Sequence, residues 1–203
     1  MELHAERLAA VVEVLRSRGA RRVLDLGCGD GRLIEVLLEA DAVAEILGLD
    51  LSSQSLAWAR DRLSRNRLIR QRANRVTLIE GSATEPDPRL VGFDAAAVVE
   101  VVEHLAPAEL TAFEDVLFGH AHPATVVLTT PNVEYNARYP TLVHGKFRHP
   151  EHRFEWTRAE FQAWADAVGQ RWGYRVEYTL IGPEDPALGA PTQMGIFSAV
   201  ACE

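Results

Sequence analysis

The run Val23-Leu24-Asp25-Leu26-Gly27-Cys28-Gly29-Asp30-Gly31 reads as a short buried strand passing straight into a glycine-rich turn. Glycines at such a junction take left-handed backbone and let the main chain approach a ligand closely. Leu33, Ile34, Leu37 and Leu38 follow at helical spacing, so the turn joins a strand to a helix. In open α/β sheets, ligands bind at the carboxyl ends of the strands near the topological switch point. Gly-x-Gly alone is weakly specific. A dinucleotide site would want a third glycine where Arg32 stands.

The surrounding chain repeats this alternation. Leu3, Leu8, Val11, Val12 and Leu15 lie at helical spacing, and Gly19 stops that helix. Further strands are expected over Ala44–Asp50, Val76–Glu80, Gly92–Val99 and Val126–Thr130. Ser52 or Ser53 caps a helix expected to run to about Leu68, and Pro107 opens one expected to reach about Phe118. Thr157 and Glu160 have the spacing of a capping box, opening a helix to about Val168. Tyr174–Leu180 and Met194–Ala201 read as two final strands in succession. The whole predicts one α/β domain over residues 1–203. Its seven-stranded sheet is mainly parallel, with helices on both faces and an antiparallel hairpin at one edge. Residues 131–156 lack periodicity, and a loop of that length in a compact domain is usually functional.

Bulk properties narrow the function classes. With 203 residues, 47% hydrophobic and 25% charged, the chain is of ordinary globular type and needs no disulfide to fold. A net charge of −8 argues against gripping a long nucleic-acid duplex, although contact with one strand end stays compatible with it. The arginines of Arg60–Arg75 read as a solvated helix face. Cys28 and Cys202 form no pair spacing, which suits a reducing cytoplasm. There is no apolar run of about 18 residues and no signal peptide, so a cytoplasmic protein without membrane partners is expected.

Two more strand ends complete the picture of a ligand site. Asp50, followed by Leu51, closes the second strand, where a carboxylate can accept hydrogen bonds from both hydroxyls of a ribose. Gly81-Ser82-Ala83 closes the third, a small-residue turn against which an adenine can lie. Together the three elements resemble the class I, Rossmann-like methyltransferases. The resemblance implies S-adenosylmethionine as cofactor. Gly27 and Gly29 would lie along its methionine part and Asp25 would orient its amino group. Asp50 would hold the ribose, Leu51 beside it would also contact the cofactor, and Ser82 and Ala83 would flank the adenine.

The fourth strand runs into Glu100-Val101-Val102-Glu103-His104. On a helix, spacing i, i+3, i+4 brings all three polar groups to one face. Two buried carboxylates repel unless something positive lies between them, and a divalent cation is the simplest candidate. Two acids and an imidazole suit Mn²⁺ or Fe²⁺ better than Zn²⁺ or Mg²⁺. His144, His149 and His152 in the long loop are candidates for a further ligand.

Three motifs then identify a narrower family. Glu100-x-x-Glu103-His104, Thr129-Thr130-Pro131-Asn132-x-Glu134-Tyr135-Asn136 and Arg148-His149-x-x-His152-x-Phe154-Glu155-Trp156-Thr157 together resemble the small-RNA 3′-terminal ribose 2′-O-methyltransferases. The resemblance covers about Leu8 to Val200. It implies methyl transfer to the 2′-hydroxyl of the last nucleotide of single-stranded or nicked RNA, in RNA repair or end protection. Residue by residue, Glu100, Glu103, His104 and His152 match the metal ligands, with Mn²⁺ favoured and Mg²⁺ second. His149 matches a second active-site histidine, either the general base or a support behind the ligands. Arg148 and the Asn132–Asn136 stretch, Asn132 foremost, match the substrate-facing loop. Arg153 is a further candidate for a phosphate, and Phe154 or Trp156 for stacking on the terminal base. Bacterial members commonly carry this domain as the C-terminal half of a longer protein that partners with a polynucleotide kinase-phosphatase. The chain thus reads as an excised domain or a standalone enzyme. A small-metabolite O- or N-methyltransferase and a non-catalytic S-adenosylmethionine-binding module are the alternatives; neither needs the Glu-x-x-Glu-His cluster.

Overall fold

Five strands form the parallel part of the sheet: β1 (Arg22–Leu26), β2 (Glu45–Asp50), β3 (Val76–Glu80), β4 (Ala95–Val99) and β5 (Thr125–Pro131). Two more follow, β6 (Tyr174–Ile181) and β7 (Thr192–Ala199). The computed structural model describes residues 2–143 and 145–200. Its strand order is β3-β2-β1-β4-β5-β7-β6, with β7 antiparallel to both of its neighbours. Only β7 is therefore reversed, and the expected hairpin puts β6 at the edge and β7 inside. The order reverses direction beside β1, so the ends of β1 and β4 flank the switch point.

Side-chain alternation along the strands feeds two cores. Val23, Ile46, Ala95 and Val127 pack with Leu8, Val11 and Leu15 of α1 (Glu2–Ser17) and with Ile34 and Leu37 of α2 (Arg32–Glu39). Leu24, Leu47, Ala96 and Val126 face the other way. They meet Phe113 of α5 (Leu110–Glu114) and Phe161 of α6 (Arg158–Trp172), together with Phe118 and Phe197. Every residue of β5 is buried, as expected of a strand covered on both faces. Among the described residues no helix is long and apolar enough to cross a membrane.

Several boundaries differ from expectation for identifiable reasons. The helix capped by Ser52 ends at Arg65 (α3, Ser53–Arg65), because Asn66 turns extended and its side chain caps a new helix, α4 (Arg67–Arg72). Asparagine competes locally with helical backbone bonds. The fourth strand starts at Ala95 rather than at Gly92, whose φ of 88° makes a turn. Beyond Pro107 the helix begins only at Leu110 and widens into a π-helical stretch, Asp115–Ala121. The 131–156 segment is not wholly irregular: Val133–Arg138 forms a 3-10 helix capped by Asn132, and an isolated bridge joins Asn132 to Trp156. The capping box of Thr157 and Glu160 is formed, and α6 runs past Val168 to Trp172 before Gly173 ends it.

Candidate active site

The glycine turn is fastened to the neighbouring strand. Gly27 and Cys28 donate their N–H groups to the Leu49 carbonyl at 2.8 and 3.0 Å. Gly27 has φ of 75°, and a Cβ placed on it would stand 2.5 Å from Val101 Cγ2. Gly29 has φ of 52° and opens on free space. Its N–H donates to Asp50 Oδ2 at 2.8 Å, and the Ser52 N–H donates to Asp50 Oδ1 at 2.9 Å. Each Asp50 oxygen keeps acceptor capacity for a ligand hydroxyl. Asp25, in β1, is 2% exposed, and among the described residues its Oδ2 has no hydrogen-bond partner. Burial, and then the charge of Asp50, raise its carboxyl to about 7. An orphaned buried carboxylate oxygen below an open glycine cradle fits a cationic amino group, such as the one S-adenosylmethionine carries.

One strand further out, Ser82 Oγ lies 2.6 Å from Thr84 Oγ1 and accepts the Thr84 N–H at 3.1 Å, which closes a small turn. Ala83 is partly buried against the second core, and Leu51 stands 75% exposed on the rim. Asp25, Gly27, Gly29, Asp50 and Leu51 thus share one set of adjacent strand ends, with Ser82 and Ala83 at the next.

The second half of the site departs from the expected helical face. Glu100 adopts φ of 55°, and only Val102–His104 forms a single 3-10 turn. A left-handed backbone costs a non-glycine residue on the order of 1–2 kcal/mol, and such outliers cluster at functional sites. β5 holds the kink: the Glu100 N–H reaches the Thr129 carbonyl at 3.1 Å, and Thr129 Oγ1 donates to Glu100 Oε1 at 3.1 Å. The other Glu100 oxygen pairs with Arg7 of α1 at 3.0 Å. Arg7 also donates to Thr192 Oγ1 at 3.0 Å. Glu103 is fully buried; its Oε2 accepts from Thr130 Oγ1 at 3.2 Å, and its Oε1 has no partner among the described residues. Burial, and then the charge of Glu100, push Glu103 well above the usual carboxylate range. Burial also raises Glu100, against the opposing pull of Arg7.

Three imidazoles gather at the same strand end, and neither Glu100 nor Glu103 joins their group. One ring nitrogen each of His104, His149 and His152 lies within 4.8 Å of the others. Ring centroids are 4.9 Å apart for His104 and His152, and 5.9 Å for His104 and His149. His104 is open to solvent on one side. Desolvation of its other side, and then the charges of His152 and His149, hold it below its ordinary value. The His152 side chain is 9% exposed and its Nδ1 lies 2.6 Å from Glu155 Oε1. His149 is 52% exposed, and its Nδ1 accepts the Glu151 N–H at 3.3 Å. Imidazole nitrogens and an orphaned carboxylate oxygen fit a borderline divalent cation. His144 lies outside the described residues.

Two of the residues expected to face the substrate turn inward in the structure. Asn132 is fully buried. Its amide donates to the carbonyls of Leu188 and Ala190 at 2.8 and 2.9 Å, and its oxygen accepts the Glu134 N–H. Both amide hydrogens are thus spent on shaping the loop. Arg148 likewise spends its guanidinium on Asn136 Oδ1 and on the Pro191 carbonyl, both at 2.6 Å, and on the Asn132 carbonyl. Arg153 remains exposed. Trp156 packs between Phe154 and Trp164, with centroids at 4.6 and 4.9 Å, so its ring belongs to the loop's own packing.

Arg7 and Glu155 are the site residues to which pattern reading gave no role, and Asn136, expected to face the substrate, instead donates to Glu155. For Arg7 a signal existed: it falls on the apolar stripe of α1, one turn before Val11, where a solvated arginine would not be placed.

The sequence profile of the methyltransferase domain family matches residues 24–126. The crystal structure of the methyltransferase domain of bacterial CtHen1-CN superposes with a TM-score of 0.86 at 44% identity, covering 97% of this chain and 99% of that one. The crystal structure of the small RNA methyltransferase HEN1 gives a TM-score of 0.86 at 31% identity, over 97% of this chain and 26% of that one. The mouse small RNA 2′-O-methyltransferase is 37% identical, over 97% of this chain and 51% of that protein. The chain thus spans about half the length of the curated relatives it matches.

Proposed function

The chain belongs to the small-RNA 2′-O-methyltransferase family, and we propose that it moves the methyl group of S-adenosylmethionine to the 2′-hydroxyl of the 3′-terminal nucleotide of RNA. The observation that carries the reading is the meeting of the glycine cradle with a second cluster. There the nitrogens of His104, His149 and His152 gather, and the orphaned Glu103 oxygen belongs to the same 3-10 turn as His104. A metabolite methyltransferase would need the first half alone.

Glu100, Glu103, His104 and His152 would hold a divalent cation, Mn²⁺ before Mg²⁺. Such an ion supplies Lewis-acid stabilisation of a ribose oxygen whose hydroxyl is otherwise a poor nucleophile at neutral pH. The chain does the rest by positioning. Asp25 and the Gly27–Gly29 backbone hold the methionine end of the cofactor, and Asp50 holds its ribose. β1 and β4 are hydrogen-bonded neighbours, so their turns fix methyl donor and acceptor side by side. His149, exposed at the cluster edge, takes the 2′ proton when its Nδ1 is released from the Glu151 N–H. Arg153 meets a phosphate. The acidic chain has little surface for a long strand, which supports recognition of the terminal sugar over sequence. A free terminal diol is also what a 3′-phosphatase leaves, so a polynucleotide kinase-phosphatase is the partner class we propose for a repair role.

Labelled-methyl transfer to three oligonucleotides tests the proposal. They differ only at the last sugar: 2′,3′-diol, 3′-phosphate or 3′-deoxy. One label at the end of the diol RNA, and almost none on the others, is expected. Equal labelling, or label at internal positions, would leave only a general methyltransferase.

A further inference from the structure

Glu155 is completely buried, yet three donors converge on its carboxylate. The Arg148 N–H donates to Oε1 at 2.7 Å, Asn136 Nδ2 to Oε2 at 2.6 Å, and His152 Nδ1 lies 2.6 Å from Oε1. The direction of these bonds can be worked out without seeing a proton. Arg148 Nε can only donate, and it lies 2.6 Å from the Asn136 side-chain oxygen. That contact fixes which end of the Asn136 amide is oxygen, so its NH₂ end must face Glu155. A backbone N–H also only donates. An ionised Glu155 offers only acceptors; Asn136 and Arg148 both donate to it, and His152 Nδ1 carries the hydrogen of the third bond. The lone pair of His152 is then on Nε2, at the far end of the ring from Glu155.

We propose that Glu155 is the positioning residue of the cation site: it locks His152 with Nδ1–H bound to carboxylate and Nε2 free for the ion. The arrangement also singles out His152 from its neighbour. Among the described residues His149 has no buried carboxylate behind it; it stands half exposed and spends its Nδ1 lone pair on a backbone N–H. A carboxylate behind a ligating imidazole sets its tautomer and raises its basicity. Glu155 further ties Asn136 and the Arg148 backbone, near opposite ends of the loop, to the same ligand. Order in the loop and readiness of the cation site are thereby coupled through one side chain.

The inference rests on the cation reading of the previous subsection, and the test separates the two. Mn²⁺ binding is measured on the whole chain by the loss of the free-ion electron paramagnetic resonance signal, with S-adenosylhomocysteine affinity as control. Removing a carboxylate behind a metal-bound histidine weakens the metal by about 10–100-fold. Glu155→Ala is expected to show that loss, and Glu155→Gln a smaller one, because an amide must turn its NH₂ toward one of three donors. S-adenosylhomocysteine affinity should not change. Long-range ¹H–¹⁵N correlation on metal-free wild type should find His152 as the Nδ1–H tautomer, which settles the matter even if Glu155→Ala fails to fold. An Nε2–H tautomer, or both variants binding Mn²⁺ as tightly as wild type, would overturn the role of Glu155. Wild type binding no Mn²⁺ would instead bring down the cation reading and this role with it.

Discussion

Alanine in place of Gly27 or of Gly29 should damage the protein in two different ways. Both glycines have positive φ, 75° and 52°, so either substitution strains the backbone by about 1–2 kcal/mol. At Gly27 the new methyl also meets Val101 Cγ2 at 2.5 Å and Cγ1 at 3.3 Å. Val101 is held between the kinked Glu100 and the buried Val102, so it cannot move freely. Overpacking of this sort adds about 1–3 kcal/mol. Gly27→Ala should therefore lose about 2–5 kcal/mol of stability, and at about 2–4 °C per kcal/mol its melting temperature should fall by roughly 10 °C. At Gly29 no described residue stands within 4 Å, so only the backbone cost applies to the free protein. The same methyl would project into the proposed cofactor cradle and weaken S-adenosylhomocysteine by about 1–3 kcal/mol. Urea denaturation and calorimetric titration of both variants separate the effects. Gly27→Ala melting with wild type, or Gly29→Ala binding S-adenosylhomocysteine like wild type, would refute the geometry.

Asp50→Ala should weaken S-adenosylhomocysteine by roughly 1.5–3 kcal/mol through loss of charge-assisted hydrogen bonds; unchanged calorimetric affinity would reject Asp50 as the ribose acceptor. Glu100→Ala, Glu103→Ala, His104→Ala and His152→Ala should each abolish methyl transfer while keeping S-adenosylhomocysteine affinity, and Mn²⁺ should restore chelated wild type; full activity after chelation argues for a purely structural cluster. Asp25, raised to about 7 by burial and then by Asp50, keeps a proton in the cofactor-free fold that an ordinary carboxyl near 3.9 has released. The stability this brings is complete below about pH 4 and is lost as pH rises through about 7, so Asp25→Asn should flatten urea-denaturation stability across that window. A cofactor amino group beside Asp25 prefers the carboxylate, so S-adenosylhomocysteine affinity should climb from roughly pH 6 to 8 in wild type and stay level in Asp25→Asn, as calorimetry would show.

The order of elements, the glycine turn and the chemistry-bearing residues were legible in the chain because they depend on local rules. Alternation of strand and helix follows hydrophobic spacing, and Thr157 and Glu160 lie three residues apart and cap their own helix. Asp50 and Ser82 could be placed because strands in such a sheet end on a common side. What the tertiary structure decided was how those residues are used. Glu100 leaves the helical face its spacing suggests because Thr129, on a strand 29 residues away, and Arg7, on the first helix, pull its carboxylate aside. Asn132 and Arg148 turn inward because the Pro191 segment offers them bare carbonyls, and a buried carbonyl needs a donor more than an exposed side chain needs an RNA. Glu155 looks like any helix-flanking acid until the fold closes three donors over it. Periodicity carries information only between neighbours along the chain. Hydrogen bonds across the sheet and loop join residues that no local spacing relates, and they fix which side chains are free to act.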